Sequence, residues 1–465
     1  MTIGTRALPR VLGLFGVTVL AAAAMGPAYS LASTMGPMVA AAGAYAPLAL
    51  VLLALIMLCI AVAFSQLTAV YPDAGSSFSW IARAFGSRAG AYGAWLLLLS
   101  NYFATMATAL PAGIYTLDLF APRLAASPLW DAAIGVVWIA ASAALLSLGL
   151  RPTALATTIF LAAEFAVIGA AALAALTLHP ALQVANASAP PDLRAKFGGI
   201  VAAMVLGIWL TDGWEVSASA SEETSGSRDT AGRGGIAGLI LTTLVLLFAM
   251  IAFLHAGTFA GFTAHQADAM TYVAERLGGG VWRVAIVATV LVSTAATLWT
   301  TLLYLSRSVY AMGRDGVLPR ALGALDARLV PANALYAISF GVSAFTLLTG
   351  FSESAAKALT LVLNGSAVFL GLLFCASASA AIRLLAARPG SAPFSTVIVP
   401  AAGALGLLAI ILADVASADR ITQNTIFGGL LLGVLFALWR GRHVSLSSAA
   451  ALSEPSASER PSASA

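Results

Sequence analysis

Three carboxylates stand where a chain this apolar should not tolerate them. Glu164 lies near the centre of the run LRPTALATTIFLAAEFAVIGAAALAALTL, and Asp212 and Glu215 flank Gly213 in IWLTDGWEVSASASEET. A charged side chain at mid-membrane depth costs at least about 2.5–3.5 kcal/mol, so such residues mark cation or proton chemistry, or else they satisfy local polar groups. Glu164 is 13 residues from Arg151, roughly 20 Å along a helix, so that cation does not neutralise it. A carboxylate with no cation beside it is a natural proton carrier, because low dielectric penalises its charged form. Each has a structural alternative. Glu164 can be hydrogen-bonded to neighbouring Ser or Thr, and Asp212 and Glu215 can be caps of an interrupted helix. Asn101, with Tyr102, Thr105 and Thr108 along one helix, either faces a polar pocket or holds helices together.

The elements that position these residues are set by composition. Of 465 residues 60% are hydrophobic and 9% charged, with mean hydropathy +0.95, against about 25% charged in soluble domains. The apolar runs are about 20 residues long, the length of a helix crossing a core of about 30 Å, whereas barrel strands alternate over about 10. They fall near 11–42, 47–70, 89–118, 131–150, 153–178, 197–221, 235–260, 281–310, 332–350, 356–384, 395–416 and 422–440, which makes twelve spans. Of the 23 Lys and Arg residues, 16 fall on the side of the termini and 7 on the other, which predicts cytoplasmic termini. The net charge of +4 follows from this topology, and a nucleic-acid role is excluded with it. Arg6 and Arg10 before an apolar run imitate a signal peptide, but the run continues to Gly43 and is needed as the first span. Cys59 and Cys375 lie inside predicted helices without metal-ligand companions, the four His residues are scattered, and no GxxxxGK occurs. Metal, cofactor and ATP-driven readings therefore have no support. The tail 441–465 is low-complexity and is expected to be disordered.

The first segment, 11–42, spans 32 residues, about 48 Å as one helix, too long for a single crossing. MGPAYSLAST supplies the break at Gly26 and Pro27, and the stretch Thr211, Asp212 and Gly213 supplies a second in span six. GPAYSLAS and GWEVSASA each place a serine four residues after a glycine, Gly26 with Ser30 and Gly213 with Ser217. Paired breaks in two halves point to a transporter site at mid-membrane, although small residues also serve close packing alone. At the first break the N–H groups of Ala28, Tyr29 and Ser30, at a positive dipole end, would receive a carboxylate. At the second, unpaired carbonyls around Trp209 to Thr211 would receive an ammonium group. An α-amino acid carries both. The Trp209 indole would stack over the amine by cation–π attraction or serve only to pack.

The chain resembles the amino acid, polyamine and organocation permease superfamily. The resemblance rests on MGPAYSLAST, YPDAGSSFSWIARAFG, IWLTDGWEVSASASEET and LYLSRSVYAMGRDGVLP, in that order. It implies an all-α integral membrane fold of twelve transmembrane helices, a five-plus-five inverted repeat of the LeuT-like kind with discontinuous helices one and six, and two C-terminal helices. The expected layout is a cytoplasmic N-terminus at 1–10, a transporter domain at 11–440 with repeats about 11–178 and 197–384 and final helices about 395–440, and the tail at 441–465. Pro27, Ala28 and Tyr29 replace the small, Gly-rich break of many relatives. The resemblance also implies a closing role for Trp209, proton dependence at Glu215, a coupling position at Glu164 where some relatives carry a lysine in place of sodium, and hydroxyls at Ser293 and Thr294 like those of sodium-binding relatives. The expected substrate contacts are Gly26, Pro27, Ala28, Tyr29, Ser30, Asn101, Trp209, Thr211, Asp212 and Gly213. The expected function is secondary active transport of an amino acid or related amine across the cytoplasmic membrane by alternating access, with proton-coupled uptake favoured over sodium. An amino acid/amine exchanger is the alternative, and an integral membrane enzyme the reading from another class. Partners are the small-molecule substrate, the proton and membrane lipid; no sequence signal bears on oligomeric state. The pair Glu222 and Glu223 reads as a solvated hinge or gate at the cytoplasmic end of span six.

Overall fold

The computed structural model describes residues 8–121, 123–124, 127–184, 193–266, 269–352 and 355–444. The tail expected to be disordered lies, from 445 onward, outside the described residues, as do residues 1–7. Among the described residues the chain is helical throughout, without β-strands. The elements are α1 (Leu14–Ala24), α2 (Pro27–Ala42), α3 (Ala46–Val70), α4 (Ser77–Phe85), α5 (Ser87–Phe120), α6 (Pro128–Ser147) and α7 (Leu150–Leu178). They continue with α8 (Leu193–Leu206), α9 (Ile208–Thr211), α10 (Val216–Ser219), α11 (Thr230–Ala256), α12 (Phe259–Ala264), α13 (Ala269–Arg276) and α14 (Val281–Arg314). The chain closes with α15 (Ala332–Thr349), α16 (Ala355–Leu385), α17 (Val399–Ser417) and α18 (Arg420–Arg440).

Ten helical stretches among the described residues are long and apolar enough to cross a membrane, the first running 57 residues from Leu14 to Val70. At about 1.5 Å per residue that stretch exceeds a single crossing several-fold. It is divided at Gly26 and again by a 3₁₀ turn at Gly43–Tyr45. The apolar segment expected at 197–221 is in three pieces, α8, α9 and α10, none long enough to cross alone. Besides the break expected at Asp212 and Gly213, Gly207 separates α8 from α9. The short helices α4, α12 and α13, of 9, 6 and 8 residues, are each too short to cross a membrane and were not anticipated. Of the most apolar 18-residue stretch in α14, 78% is buried, against 22% in α18, so α14 runs through the middle of the bundle and α18 along its edge.

One end of the bundle is closed by main chain and ion pairs together. Before α1, the Val11 and Leu12 N–H groups donate to the Glu223 carbonyl at 2.9 and 3.1 Å, and the Ser225 N–H donates to the Leu12 carbonyl at 2.8 Å. Beneath this short parallel bridge, Arg307 Nε and Nη2 each donate to a Glu223 carboxylate oxygen at 3.0 Å, both side chains only 1% exposed. Arg314 reaches Glu222 at 2.9 Å and Asp73 at 3.1 Å. The Ala74 N–H donates to Glu222, and the Asp73 N–H to Ser221 Oγ, at 2.9 and 3.1 Å. Three of the four sequence motifs thus converge here: YPDAG, the SEET end of the central stretch, and the end of α14. Glu223 is buried, which corrects the expectation of a solvated pair. Arg307, one turn beyond Tyr304 on the same face of α14, is the cation that neutralises it.

Removing one partner of a fully buried ion pair leaves an uncompensated charge and costs about 3–5 kcal/mol. Arg307→Met should therefore lower the thermal midpoint of the detergent-solubilised protein markedly, and adding Glu223→Leu should recover much of the loss. A single variant melting with the wild type would show that the pair is not desolvated.

Candidate functional site

The first break is a one-residue reversal. Gly26 has φ +55° and ψ +65°, in the left-handed region that side chains resist, and a Cβ there would collide with Thr297 Oγ1. Pro27 then opens α2 at its first turn, where the missing N–H costs nothing. The following amides need partners because no carbonyl of the same helix precedes them. The Ala28 N–H donates to Glu164 Oε1 at 2.6 Å, the Tyr29 N–H to Ser293 Oγ at 3.1 Å, and the Ser30 N–H to the Gly26 carbonyl at 2.7 Å. Ser293 Oγ itself donates to the same Glu164 oxygen at 2.5 Å. Glu164 is completely buried, and its Oε2 has no hydrogen-bond partner among the described residues.

The second break lies against the first. Asp212 leaves the helix in an extended conformation, and Gly213 follows with φ +96°. A Cβ on Gly213 would stand 2.6 Å from the Ala24 carbonyl carbon and 2.9 Å from the Met25 nitrogen, so only glycine lets the two main chains meet. Glu215 folds back to accept the Gly213 N–H at 2.8 Å. Ser30 Oγ spans the two breaks, within 2.6 Å of the Met25 carbonyl and 3.1 Å of the Trp209 carbonyl. The Trp209 carbonyl, expected to be free, is thus engaged.

Between the breaks lies a polar cavity of about 30 Å³. A water needs roughly 10–15 Å³ by the same measure, so the cavity holds about two waters, and any larger ligand requires the surrounding helices to separate. Met25, Tyr29, Ser30, Asn101, Trp209, Asp212, Gly213 and Glu215 line it; Met25 was not among the expected residues, and Glu215 was expected for coupling and not for contact. Gly26, Pro27, Ala28 and Thr211 shape the breaks without lining the cavity, and Thr211 Oγ1 turns back to the Ile208 carbonyl at 3.2 Å. Glu164 and Ser293 sit behind α2, and Thr294 Oγ1 donates to the Val290 carbonyl at 2.6 Å. Of the Asn101 helix, Thr108 also lines the cavity, whereas Tyr102 faces a separate one.

Sequence reasoning missed the wall supplied by α14. Thr297, Thr300, Thr301 and Tyr304 line the cavity, and their spacing of three, four and seven is a polar stripe on one helix face that the sequence displays. A larger cavity of about 410 Å³ lies between α5, α14 and α15, but its lining, Tyr102, Trp95 and ten apolar residues, carries no charged group. The smaller cavity holds the converging polar groups and is the candidate site.

A family model described as amino acid permease matches residues 12–436. Among curated proteins, a branched-chain amino acid permease of Lactococcus lactis subsp. cremoris is 26% identical over 300 residues, covering 60% of this chain and 63% of that protein. A low-affinity putrescine importer of Escherichia coli is 24% identical over 370 residues, covering 75% and 79%. An arginine/ornithine antiporter of Pseudomonas aeruginosa is 25% identical over 163 residues, covering 35% and 34%. The chain spans a little under two thirds of the first relative and about four fifths of the second. With a family match that runs through both helix breaks and nearly all described helices, this chain belongs to the amino acid permease family.

Proposed function

We propose that the protein is a secondary active transporter that takes up an amino acid or related amine across the cytoplasmic membrane by alternating access, with proton coupling. The observation that carries the reading is two interrupted helices meeting at a small cavity lined by polar side chains in the middle of an apolar bundle. Backbone outside regular helix is tolerated at membrane depth only where it is buried in protein or lines a cavity, and such breaks serve binding. The relatives' names mention branched-chain amino acids, putrescine, and arginine with ornithine. All of these present an aliphatic amine.

In this reading the bundle makes twelve crossings. The stretch Leu14–Val70 crosses twice around the Gly43–Tyr45 turn, α8 to α10 together cross once, and nine helices make the rest. Residues about 11–178 and 197–384 form the two inverted repeats, with about 395–440 as the final pair. The excess of Arg near the termini supports a cytoplasmic N-terminus and tail, which sets the Arg307–Glu223 network on the cytoplasmic side. The network shuts that side while intact.

Proton coupling falls to the buried carboxylates. Glu164 joins α7 to the start of α2 and to α14, so adding a proton there weakens what the amide and hydroxyl donate to. That loosens α2 against α7. Glu215 does the same at the second break through Gly213. Trp209, 8% exposed at the cavity, closes over the amine by cation–π attraction.

Glu164→Gln fixes a neutral side chain. This variant should still exchange labelled substrate at equilibrium, yet lose the acceleration that an inward proton gradient gives the wild type. Wild-type uptake should rise as the outer pH falls, and that slope should flatten in the variant. Glu215→Gln and Asp212→Asn, assayed alongside in proteoliposomes, identify a second carrier if there is one. Wild-type pH dependence in all three would shift the coupling to sodium near Ser293 and Thr294, or to simple exchange.

Gly213→Leu forces a side chain into the Ala24 main chain. Uptake should vanish while the protein still inserts and elutes as a single species. Normal uptake by this variant would remove the second break from the site.

A further inference from the structure

The closed end of the bundle holds arginines that the network there does not neutralise, and three of them gather around two aromatic rings. Arg83 in α4 and Arg388, just beyond α16, have their guanidinium carbons 5.4 and 5.2 Å from the centroid of the Tyr71 ring, and Arg388 Nη2 donates to the Tyr71 hydroxyl at 3.1 Å. The guanidinium of Arg383, near the end of α16, lies 5.6 Å from the centroid of the Phe85 ring at the end of α4. One carboxylate reaches this group. Asp73 Oδ2 is 3.8 Å from Arg83, beyond hydrogen-bond length, while Asp73 Oδ1 already accepts from Arg314, Ser79 and the Gly75 N–H. Among the described residues Arg383 and Arg388 have no ion-pair partner, and Arg83 Nε is buried without a hydrogen-bond partner. A donor shut away from water without an acceptor is costly, so an acceptor from outside the chain is missing here.

We infer that the surface where α4 meets the end of α16 binds the phosphate of an anionic phospholipid, held by Arg83, Arg383 and Arg388. Stacking on Tyr71 and Phe85 orients the guanidiniums and leaves their N–H edges free, and such an edge pairs bidentately with a phosphate. The Phe85 ring is 44% exposed beside these cations, an aromatic suited to the boundary between headgroups and acyl chains, which is why the anion is a lipid's. A zwitterionic headgroup carries the same phosphate with a cation attached, so three unneutralised arginines select the anionic one. The bound phosphate supplies the acceptor that Arg83 lacks, joins α4 to α16, and leaves Asp73 to Arg314 in the closing network. This binding does not depend on the transport reading; only the leaflet, the cytoplasmic one, follows from the orientation proposed above.

Lipid titration of the full chain, purified in detergent and stripped of lipid, tests it. Phosphatidylglycerol and phosphatidylcholine with the same acyl chains are added in turn, and bound lipid is counted by native mass spectrometry. Phosphatidylglycerol should bind saturably and at least about tenfold tighter than phosphatidylcholine. Arg383→Gln and Arg388→Gln replace exposed side chains without ion-pair partners, so folding does not rest on them. Each should weaken phosphatidylglycerol about fivefold, and the double variant about 25-fold, as expected for about 1 kcal/mol per arginine. Arg320→Gln removes the same charge from an exposed arginine in the α14–α15 connection and should change the affinity little. Millimolar inorganic phosphate should leave the lipid bound. Equal affinity for the two lipids, or wild-type binding of phosphatidylglycerol by the double variant, overturns the inference. A loss in Arg320→Gln as large as in Arg388→Gln means attraction by bulk charge alone and overturns the site. Displacement by inorganic phosphate overturns the lipid as its ligand.

Discussion

The buried start of α2 is the constraint on which the rest depends. A helix that begins in the middle of an apolar bundle exposes amides with no helical partners, and leaving them unpaired there costs about as much as a lost hydrogen bond apiece. The Glu164 carboxylate settles this for Ala28 directly and for Tyr29 through Ser293. A negative charge at that position also meets the positive end of the α2 dipole. One side chain therefore fixes α7, α2 and α14 relative to each other. The carboxyl group is held there by two hydrogen bonds to Oε1 at a helix end.

The second break is held differently. Glu215 caps Gly213 two residues away in the chain, so this break carries its own partner, and it meets the first through main-chain contact at Ala24 and the Ser30 hydroxyl. The tie from the segment before α1 to Ser225, just past α10, keeps α1 and α10 together over the buried Arg307–Glu223 pair. Coupling between site and closure then needs no long pathway. The cavity and the closure both draw on α14 and the second broken helix, with α5 adding to the cavity and Asp73 to the closure.

Much of this was legible in the sequence, and the reasons are local. Gly26 before Pro27, and Asp212 with Gly213, break helices by their own stereochemistry, so both breaks could be placed within a residue or two. Glu164 stood out because nothing near it in sequence could neutralise it. Its partners could not be read, since Ala28 and Ser293 lie 136 and 129 residues away and only packing brings them there. For the same reason the amides of Ala28, Tyr29 and Ser30 looked free to receive a substrate carboxylate when each is already bonded. The α14 stripe of Thr297, Thr300, Thr301 and Tyr304 was visible as a period, but on this helix only Ser293 and Thr294 were singled out. Glu223 was expected in solvent because the pair lies at the end of span six, and its partner Arg307 is 84 residues on.

The central claim is that Glu164 and Ser293 act as one unit at the start of α2. A double-mutant cycle with Glu164→Gln, Ser293→Ala and the pair, read as unfolding free energies of the solubilised protein, tests it most directly. Directly bonded residues couple by about 0.5–3 kcal/mol, and this account predicts a coupling of at least about 1 kcal/mol. Additivity within about 0.3–0.5 kcal/mol would mean that the two side chains do not share the amides of α2, and would contradict it.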